Sequence, residues 1–322
     1  MSWTLALHGG AENVSLDEDR KEYKDALAAC LDRGASVLSE RSPPSFSPYA
    51  HLNIATQAVI ETVMALEDCD LFNAGHGSLF NEDGLFEMDA QVMDNRGHCG
   101  ACVGLSRIRN PILAAEKIMS NTPHALVTSP SAEEFAIKHG LRTETHQYFH
   151  TERRFKAWQA VREAKKTASG QDGADVNEHC RGTVGAVAKD KQGNIACAVS
   201  TGGTIDKMRG RVGDSPIIGG GCYAGSSAGV CGTGKGEVFL YHNTCGRICA
   251  AMDYAGLSLQ DACEREMSAM AAGSGGVIAI DSDGGCVMQH STQAMPRAMQ
   301  DSAGRRKIAI WKEWEENQEV SE

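Results

Sequence analysis

Residues 180–203, CRGTVGAVAKDKQGNIACAVSTGG, hold two short apolar runs joined by a turn, with Thr183 opening the first and Thr201 closing the second. In an antiparallel hairpin, facing residues have a constant sum of numbers. A turn centred on residue 192 therefore sets Thr183 opposite Thr201, on one side of the sheet and within hydroxyl–hydroxyl reach. By itself the pair fits either two β-favouring threonines that bound a hairpin or a nucleophile beside a second hydroxyl. Thr183 has no His–Asp partners at a recognisable spacing, so a base must come from elsewhere. Cleavage between Gly182 and Thr183 would free an α-amine with a reference pKa of ~7.7–8.0, suited to general-base work near neutral pH. Threonine activated by its own N-terminal amine is an established arrangement. Gly182 suits such a cut, because a residue without a Cβ tolerates the strain of an acyl shift.

The elements that must position this hairpin follow from periodicity. WTLALHGG reads as a strand ending in paired glycines. Residues 52–66 repeat apolar positions at helical spacing, with Ile54, Ala58, Thr62 and Leu66 near one face. CGACVGLS is strand-like, and Asn110-Pro111 opens PILAAEKIM as cap and first helical residue. Ser131 and Glu134 form an expected capping box for AEEFAIKH, which Gly140 stops. From about 143 to 181 the chain is polar, helical at first, and Lys166 to Glu178 reads as a solvated, mobile linker that lets a new chain end move aside. Hairpins are expected over 183–200 and 277–290, with helices CGRICAAMDY and the Ser258-capped LQDACEREMSAM between them. Hairpin strands with grouped helices predict an α+β chain of packed sheet layers flanked by helices.

Composition narrows the function. The net charge of −11 and the absence of a long basic run argue against nucleic-acid binding. No stretch approaches the ~20 apolar residues of a membrane span. The first residues, MSWTLALHGGAENVS, lack a basic start and a cleavage-like site, so a cytoplasmic protein without a signal peptide is expected. Twelve cysteines lie scattered, mostly in apolar runs, and read as buried free thiols. Cys99 and Cys102 have C-x-x-C spacing, open to a redox or metal reading. Three residues apart on a strand, however, they point to opposite faces.

The segments HGGA, LFNAGHGS, EMDAQVMD, NPILAAEKIM, GTVGAVA, STGG, GRVGDSP, GTGKGE and GSGGVIAID run nearly end to end. Together they resemble the plant-type asparaginase / isoaspartyl peptidase family of N-terminal nucleophile hydrolases; only the linker and the C-terminal tail lack them. The resemblance implies a four-layer αββα sandwich over a single domain, 1–322. It implies self-cleavage into 1–182 and 183–322, with a mobile linker at about 166–182, and a homodimer of αβ heterodimers. It further implies hydrolysis of L-asparagine or β-aspartyl dipeptides, small molecules both, through a β-aspartyl-threonine intermediate, with no cofactor for the chemistry.

Carried over by motif, Thr183 is the nucleophile and Thr201 its hydrogen-bond partner. Arg211 and Asp214 would hold the substrate's α-carboxylate and α-ammonium, a match of charge and of bidentate geometry; from the residues alone an exposed ion pair fits as well. Thr233 and Gly234 would form the oxyanion hole through the hydroxyl and the N–H, and Asn73 would approach Thr183. His8, Gly9 and Gly10 would pass beneath the scissile bond. LEDCDLFNAGH matches the family's sodium loop, so the carbonyls of Leu66, Glu67, Cys69, Phe72, Ala74 and His76 would bind a structural Na⁺; carbonyl oxygen suits a hard cation.

Three departures stand out. Asp206-Lys207 replaces the usual Asn-Lys and would add negative charge near the carboxylate clamp. The segment 223–233 is one residue shorter, and the tail HSTQAMPRAM keeps only part of its pattern. These bear on substrate preference and rate rather than on reaction type. Rival readings are a nucleotide site at GVCGTGKG, which nearly spells a phosphate loop, an uncleaved scaffold or binding protein, and a glycosylasparaginase- or protease-like relative.

Overall fold

The computed structural model describes residues 2–12, 20–39, 51–167 and 182–312. The chain begins with β1 (Thr4–His8), α1 (Arg20–Ser39), α2 (Ile54–Glu67), β2 (Met88–Asp94) and β3 (Cys99–Leu105). It continues through α3 (Pro111–Asn121), β4 (Leu126–Thr128), α4 (Ser131–Lys138), α5 (His146–Phe149) and α6 (Glu152–Thr167). Beyond the undescribed stretch come β5 (Val184–Lys189), β6 (Ile195–Thr201), β7 (Cys222–Ala224), β8 (Ala228–Gly234) and α7 (Gly236–His242). Last are α8 (Thr244–Ala255), α9 (Leu259–Ser268), β9 (Gly275–Asp281), β10 (Cys286–His290), β11 (Ala294–Asp301) and β12 (Arg306–Trp311).

Among the described residues two sheets form, an eight-stranded one ordered β12-β11-β1-β5-β6-β2-β3-β4 and a four-stranded one ordered β10-β9-β8-β7. Strand alternation explains how each sheet is buried on both faces. Leu5 and Leu7 of β1 join Val59, Ile60 and Val63 of α2 in one core. Ala6, between them, faces the other way and meets Val187, Val199, Ile278 and Ile280 in a second core shared by the two sheets. Val277 and Ala279 of β9 turn outward to a third core with Ile248 of α8 and Cys263 of α9. A one-residue slip of β1 would exchange its leucines for alanine on the helix side, so the burial pattern pins the register. The α+β reading holds.

The hairpin register is as expected. Val184 pairs with Ser200 and Lys189 with Ile195, which sets Thr183 opposite Thr201. The 277–290 hairpin also forms, with Cys286 opposite Ile280. Asn53 caps α2 by accepting from Thr56 N at 2.8 Å, and the Ser258 hydroxyl caps α9 through Asp261 N at 3.1 Å.

Two local expectations fail. Ser131 lies inside α4, whose N-cap is Pro130 with no side-chain cap bond; the proline ends the preceding chain one residue sooner than a serine cap would. The expected linker also begins too early, since α6 carries Lys166 and Thr167. Basic side chains anchor α6 across the fold, Arg154 to the carbonyls of Gly77 and Leu71 and Lys165 to Asp206. The linker's residues 168–181 lie outside the described residues, and Gly182, its last, is held by hydrogen bonds at its carbonyl.

All eleven described cysteines are free. Cys102 packs in the helix-side core and Cys99 against the inter-sheet core, so the C-x-x-C pair is split across the sheet. Cys197, Cys222 and Cys231 bring their sulfurs within 4.8 Å of one another between the sheets. Burial pushes the thiols of Cys197 and Cys222 far up, and the Cys231 thiol donates to the carbonyls of Ala186 and Ala198. Three thiolates in that apolar layer would be costly. They are packed thiols.

Candidate active site

Thr183 sits one residue before β5, 6% exposed. Its hydroxyl donates to Thr201 Oγ1 at 3.2 Å. Thr201 in turn donates its single proton to the Gly182 carbonyl at 3.1 Å and accepts from Gly203 N at 3.0 Å. Ser215 Oγ lies 3.3 Å from Thr183 Oγ1; with the Thr183 proton committed to Thr201, Ser215 is the donor of that pair. The three hydroxyls form one chain around the nucleophile candidate.

Asn73 supplies the second donor to the Gly182 carbonyl, from Nδ2 at 2.7 Å. The same amide donates to Gly203 O at 2.6 Å and accepts from Leu79 N at 3.0 Å, which fixes its orientation. Asn73 reaches this point because the chain after α2 curls back on itself. Gly75, at φ +50°, lies against Glu67 O, where a Cβ would approach to 2.5 Å. The peptide between Gly182 and Thr183 therefore has two donors on its oxygen and a hydroxyl beside it.

The floor is as tight as the HGG motif suggested. A Cβ on Gly10 would fall 3.0 Å from Gly182 Cα and 3.6 Å from Thr183 N. His8 is fully buried, and burial lowers its ring pKa to about 3. It stays neutral beneath the bond.

On the other side, Arg211 and Asp214 converge on Gly236, whose Cβ would meet Arg211 Nη2 and Asp214 Oδ1 each at 2.8 Å. Burial pushes the Asp214 carboxyl up to about 6 against the pull of Arg211. Its Oδ2 is buried without a hydrogen-bond partner. Arg211 is not the freely exposed ion pair that its loop position allowed; its side chain is 15% exposed and pairs with Glu237 at 2.8 Å. An unpartnered carboxylate oxygen beside a guanidinium has the charges that could receive a zwitterion.

Thr233 ends near Thr183, its hydroxyl 3.5 Å from Thr183 O, a long contact. Gly234 follows in β8 at φ +143°. Leu66 and Glu67 end α2, and Cys69, Phe72, Ala74 and His76 lie in the turn after it that presents Asn73. Asp206 is misplaced by the sequence reading. It faces Lys165 at 2.8 Å and Arg162 at 3.9 Å, so its charge ties α6 to the β6–β7 connection and is not directed at the clamp.

Sequence reasoning missed Ser215, Glu237 and Glu12. Ser215 stands next to Asp214 in the quoted GRVGDSP, where attention to charge hid a hydroxyl. Lys207 and Asp89 are buried close by: Lys207 Nζ donates to Glu87 O at 2.7 Å, and burial raises Asp89 to about 6 against the opposing Lys207 charge.

Comparison with known proteins agrees with this geometry. The family described as Asparaginase matches residues 1–310. The chain belongs to the asparaginase family. An isoaspartyl peptidase of Escherichia coli (strain K12) is 41% identical over 305 residues, covering 91% of each chain. A probable isoaspartyl peptidase/L-asparaginase 2 of Arabidopsis thaliana is 33% identical, over 96% of this chain and 99% of its own. The isoaspartyl peptidase/L-asparaginase of Xenopus laevis is 36% identical, over 92% of this chain and 91% of its own. In this asparaginase-family chain the nucleotide reading also fails on its own terms. Gly229 to Gly234 are ladder residues of β8 paired with β9, so the glycines build a strand where a phosphate loop needs free N–H groups.

Proposed function

We propose that the chain is an amidohydrolase that cuts itself between Gly182 and Thr183 and then cleaves L-asparagine and β-aspartyl dipeptides. The observation that carries the reading is the Gly182 carbonyl, which accepts from both Asn73 and Thr201 while the Thr183 hydroxyl bonds Thr201. Two donors on one carbonyl beside a hydroxyl are what a tetrahedral oxyanion needs.

In the cut, Thr183 Oγ attacks the Gly182 carbonyl carbon, the C–N bond breaks, and water resolves the ester. The product is residues 1–182 and 183–322, two chains of one αββα domain. In turnover the freed α-amine takes the Thr183 hydroxyl proton, and the oxygen attacks the β-carbonyl of the substrate. Thr233 and Gly234 hold the oxyanion. Ammonia or an amine leaves, and water releases aspartate. Arg211 and Asp214 orient the substrate by its α-groups. Glu237, 69% exposed at its side chain, holds Arg211 only weakly and yields to a substrate carboxylate.

Mass spectrometry of purified protein tests the reading, with two chains of 182 and 140 residues expected from the 322. A single intact chain with full activity overturns it. Thr201→Val leaves the scissile carbonyl one donor and the Thr183 hydroxyl without its acceptor. Processing is expected to slow by ~10²–10³-fold, followed on denaturing gels.

A sodium ion in the 66–76 turn completes the proposed site. Carbonyls crowd its glycines: a Cβ on Gly77 would lie 2.1 Å from Phe72 O and 2.8 Å from Asp70 O. Carbonyl oxygens gathered at one turn suit a hard cation. The ion would shape the turn behind Asn73. Exchanging sodium for choline is expected to lower the melting temperature by about 5 °C. An unchanged melting temperature removes the ion.

Pairing of two αβ units is supported by large apolar side chains left in solvent, Tyr241 at 87% and Tyr254 at 91% exposed. A cytoplasmic setting is supported by eleven free cysteines. No described helix is long and apolar enough to cross a membrane.

A further inference from the structure

The α-amine that serves as base in turnover is still an amide nitrogen in the uncut chain. Self-cleavage as proposed therefore needs another proton carrier. The titratable groups around the bond narrow the choice. His8 lies beneath it, but its ring is too weakly basic to accept a proton at neutral pH. Asp214 is committed to the far side of the site at Gly236, and Lys207 donates to Glu87 O.

Glu12 remains. Its backbone is pinned by exchanged hydrogen bonds with Ala294, 3.0 Å each way, at the start of β11. Its carboxyl lies at the scissile glycine: a Cβ on Gly182 would sit 3.1 Å from Glu12 Oε1, and one on Gly10 3.8 Å from the same oxygen. The same Cβ on Gly10 would lie 3.6 Å from Thr183 N. One corner thus holds the carboxyl, the scissile residue and the nitrogen that must leave.

We propose that Glu12 carries the proton of the self-cleavage step, taking it from the Thr183 hydroxyl and giving it to the Thr183 nitrogen through a bridging water. The carboxylate accepts the Oγ proton as the Oγ–C bond to Gly182 forms, and Asn73 and Thr201 hold the oxyanion. The carboxyl then returns that proton to the nitrogen as the C–N bond breaks. The ester is hydrolysed by water, and Glu12 ends as it began.

Its environment suits the task. Burial raises the Glu12 carboxyl to about 7, against the opposing charges of Arg154 and Arg153 on α6. Arg154 is spent on the carbonyls of Gly77 and Leu71, each at 2.8 Å, and Arg153 lies over the Tyr23 ring. From β1 comes the neutral His8, and from the start of β11 the uncharged Ala294. A carrier poised near the working pH is the efficient one. Because the ionised form starts the step, cutting is expected to accelerate as pH rises through 7.

The experiment is cell-free synthesis of the full chain, with conversion to the 182- and 140-residue fragments followed on denaturing gels from pH 5 to 9. Wild type should cut about tenfold faster per pH unit below 7 and level off above it. Glu12→Gln should cut at least ~10²-fold more slowly with a flat profile, and Glu12→Asp should recover part of the rate and of the pH step. The fold holds this carboxyl above its ordinary range, so ionising it lowers stability as pH rises toward 7; glutamine removes that loss, and thermal unfolding checks the variant's fold. Should Glu12→Gln fail to fold, the wild-type profile and Glu12→Asp decide. Wild type cutting at a rate independent of pH, or Glu12→Gln cutting as wild type does, overturns the role of Glu12. A wild-type chain that never cuts overturns it together with the self-cleavage reading, and is told apart by the missing fragments.

Discussion

Thr183→Ala is expected to yield one uncut chain of 322 residues with turnover down by on the order of 10⁶. Alanine removes the oxygen that attacks in both steps, so the two losses have one cause. Without the cut, the α-amine never forms, and without the hydroxyl no acyl intermediate can. Misfolding is a poor alternative explanation. The side chain is small, and its hydroxyl makes one donated bond to Thr201, worth only about 1 kcal/mol net. Thr183→Ser separates the steps. It keeps the nucleophile and should process and turn over, while losing the methyl that fixes χ1. Two fragments from Thr183→Ala, seen by mass spectrometry, would show that another group cuts the chain. Turnover near wild type would show that another oxygen attacks.

Much of this geometry was legible because it is written in pairs of residues. The sum rule for the hairpin places Thr183 opposite Thr201 from residue numbers alone, and strand alternation separates Cys99 from Cys102. The helix over 52–66 followed from its repeat, and its observed span, Ile54–Glu67, differs only at the ends. Local chemistry was less reliable where two signals overlapped. At Ser129-Pro130-Ser131 the sequence offers a serine cap, yet the helix takes the proline as its N-cap. At Asp206 the sequence places a charge three residues past STGG and five before Arg211. Only the fold brings α6 across to Lys165 and pairs it there. Long-range partners of this sort have no spacing to read.

Within the site, motif matching found the charged and the famous residue types and passed over quieter ones. Ser215 and Glu12 both lie inside or beside quoted motifs, yet their significance is a matter of position. Ser215 matters because the loop after Gly213 turns its hydroxyl to Thr183. Glu12 matters because two antiparallel bonds to Ala294 hold it at Gly182. Asn73 stands at the Gly182–Thr183 peptide, as its motif implies, and reaches further than the sequence shows. Its amide spans from Gly182 to Gly203, linking the segment before the cut to the loop after β6.

The second large effect concerns substrate capture. Arg211→Ala is expected to raise KM for L-asparagine by about 10²-fold with a much smaller change in kcat, since removing one partner of a charged pair costs ~2–5 kcal/mol and acts on ground and transition states alike. In the proposed binding mode the guanidinium meets the α-carboxylate, which does not react. A substrate lacking that group, β-alanine amide, supplies the control: wild type and Arg211→Ala should handle it equally poorly, closing a double cycle on the single contact. Asp214 adds a pH signature. Its carboxyl must be ionised to hold an α-ammonium, and it stands at about 6 in the free site. Below that pH, kcat/KM should fall toward tenfold per unit. Arg211 pulls the Asp214 value down, so removing the arginine should move the acid limb to higher pH. An unchanged KM, or an acid limb that stays in place, would mean that Arg211 serves Glu237 alone and that the α-carboxylate binds elsewhere.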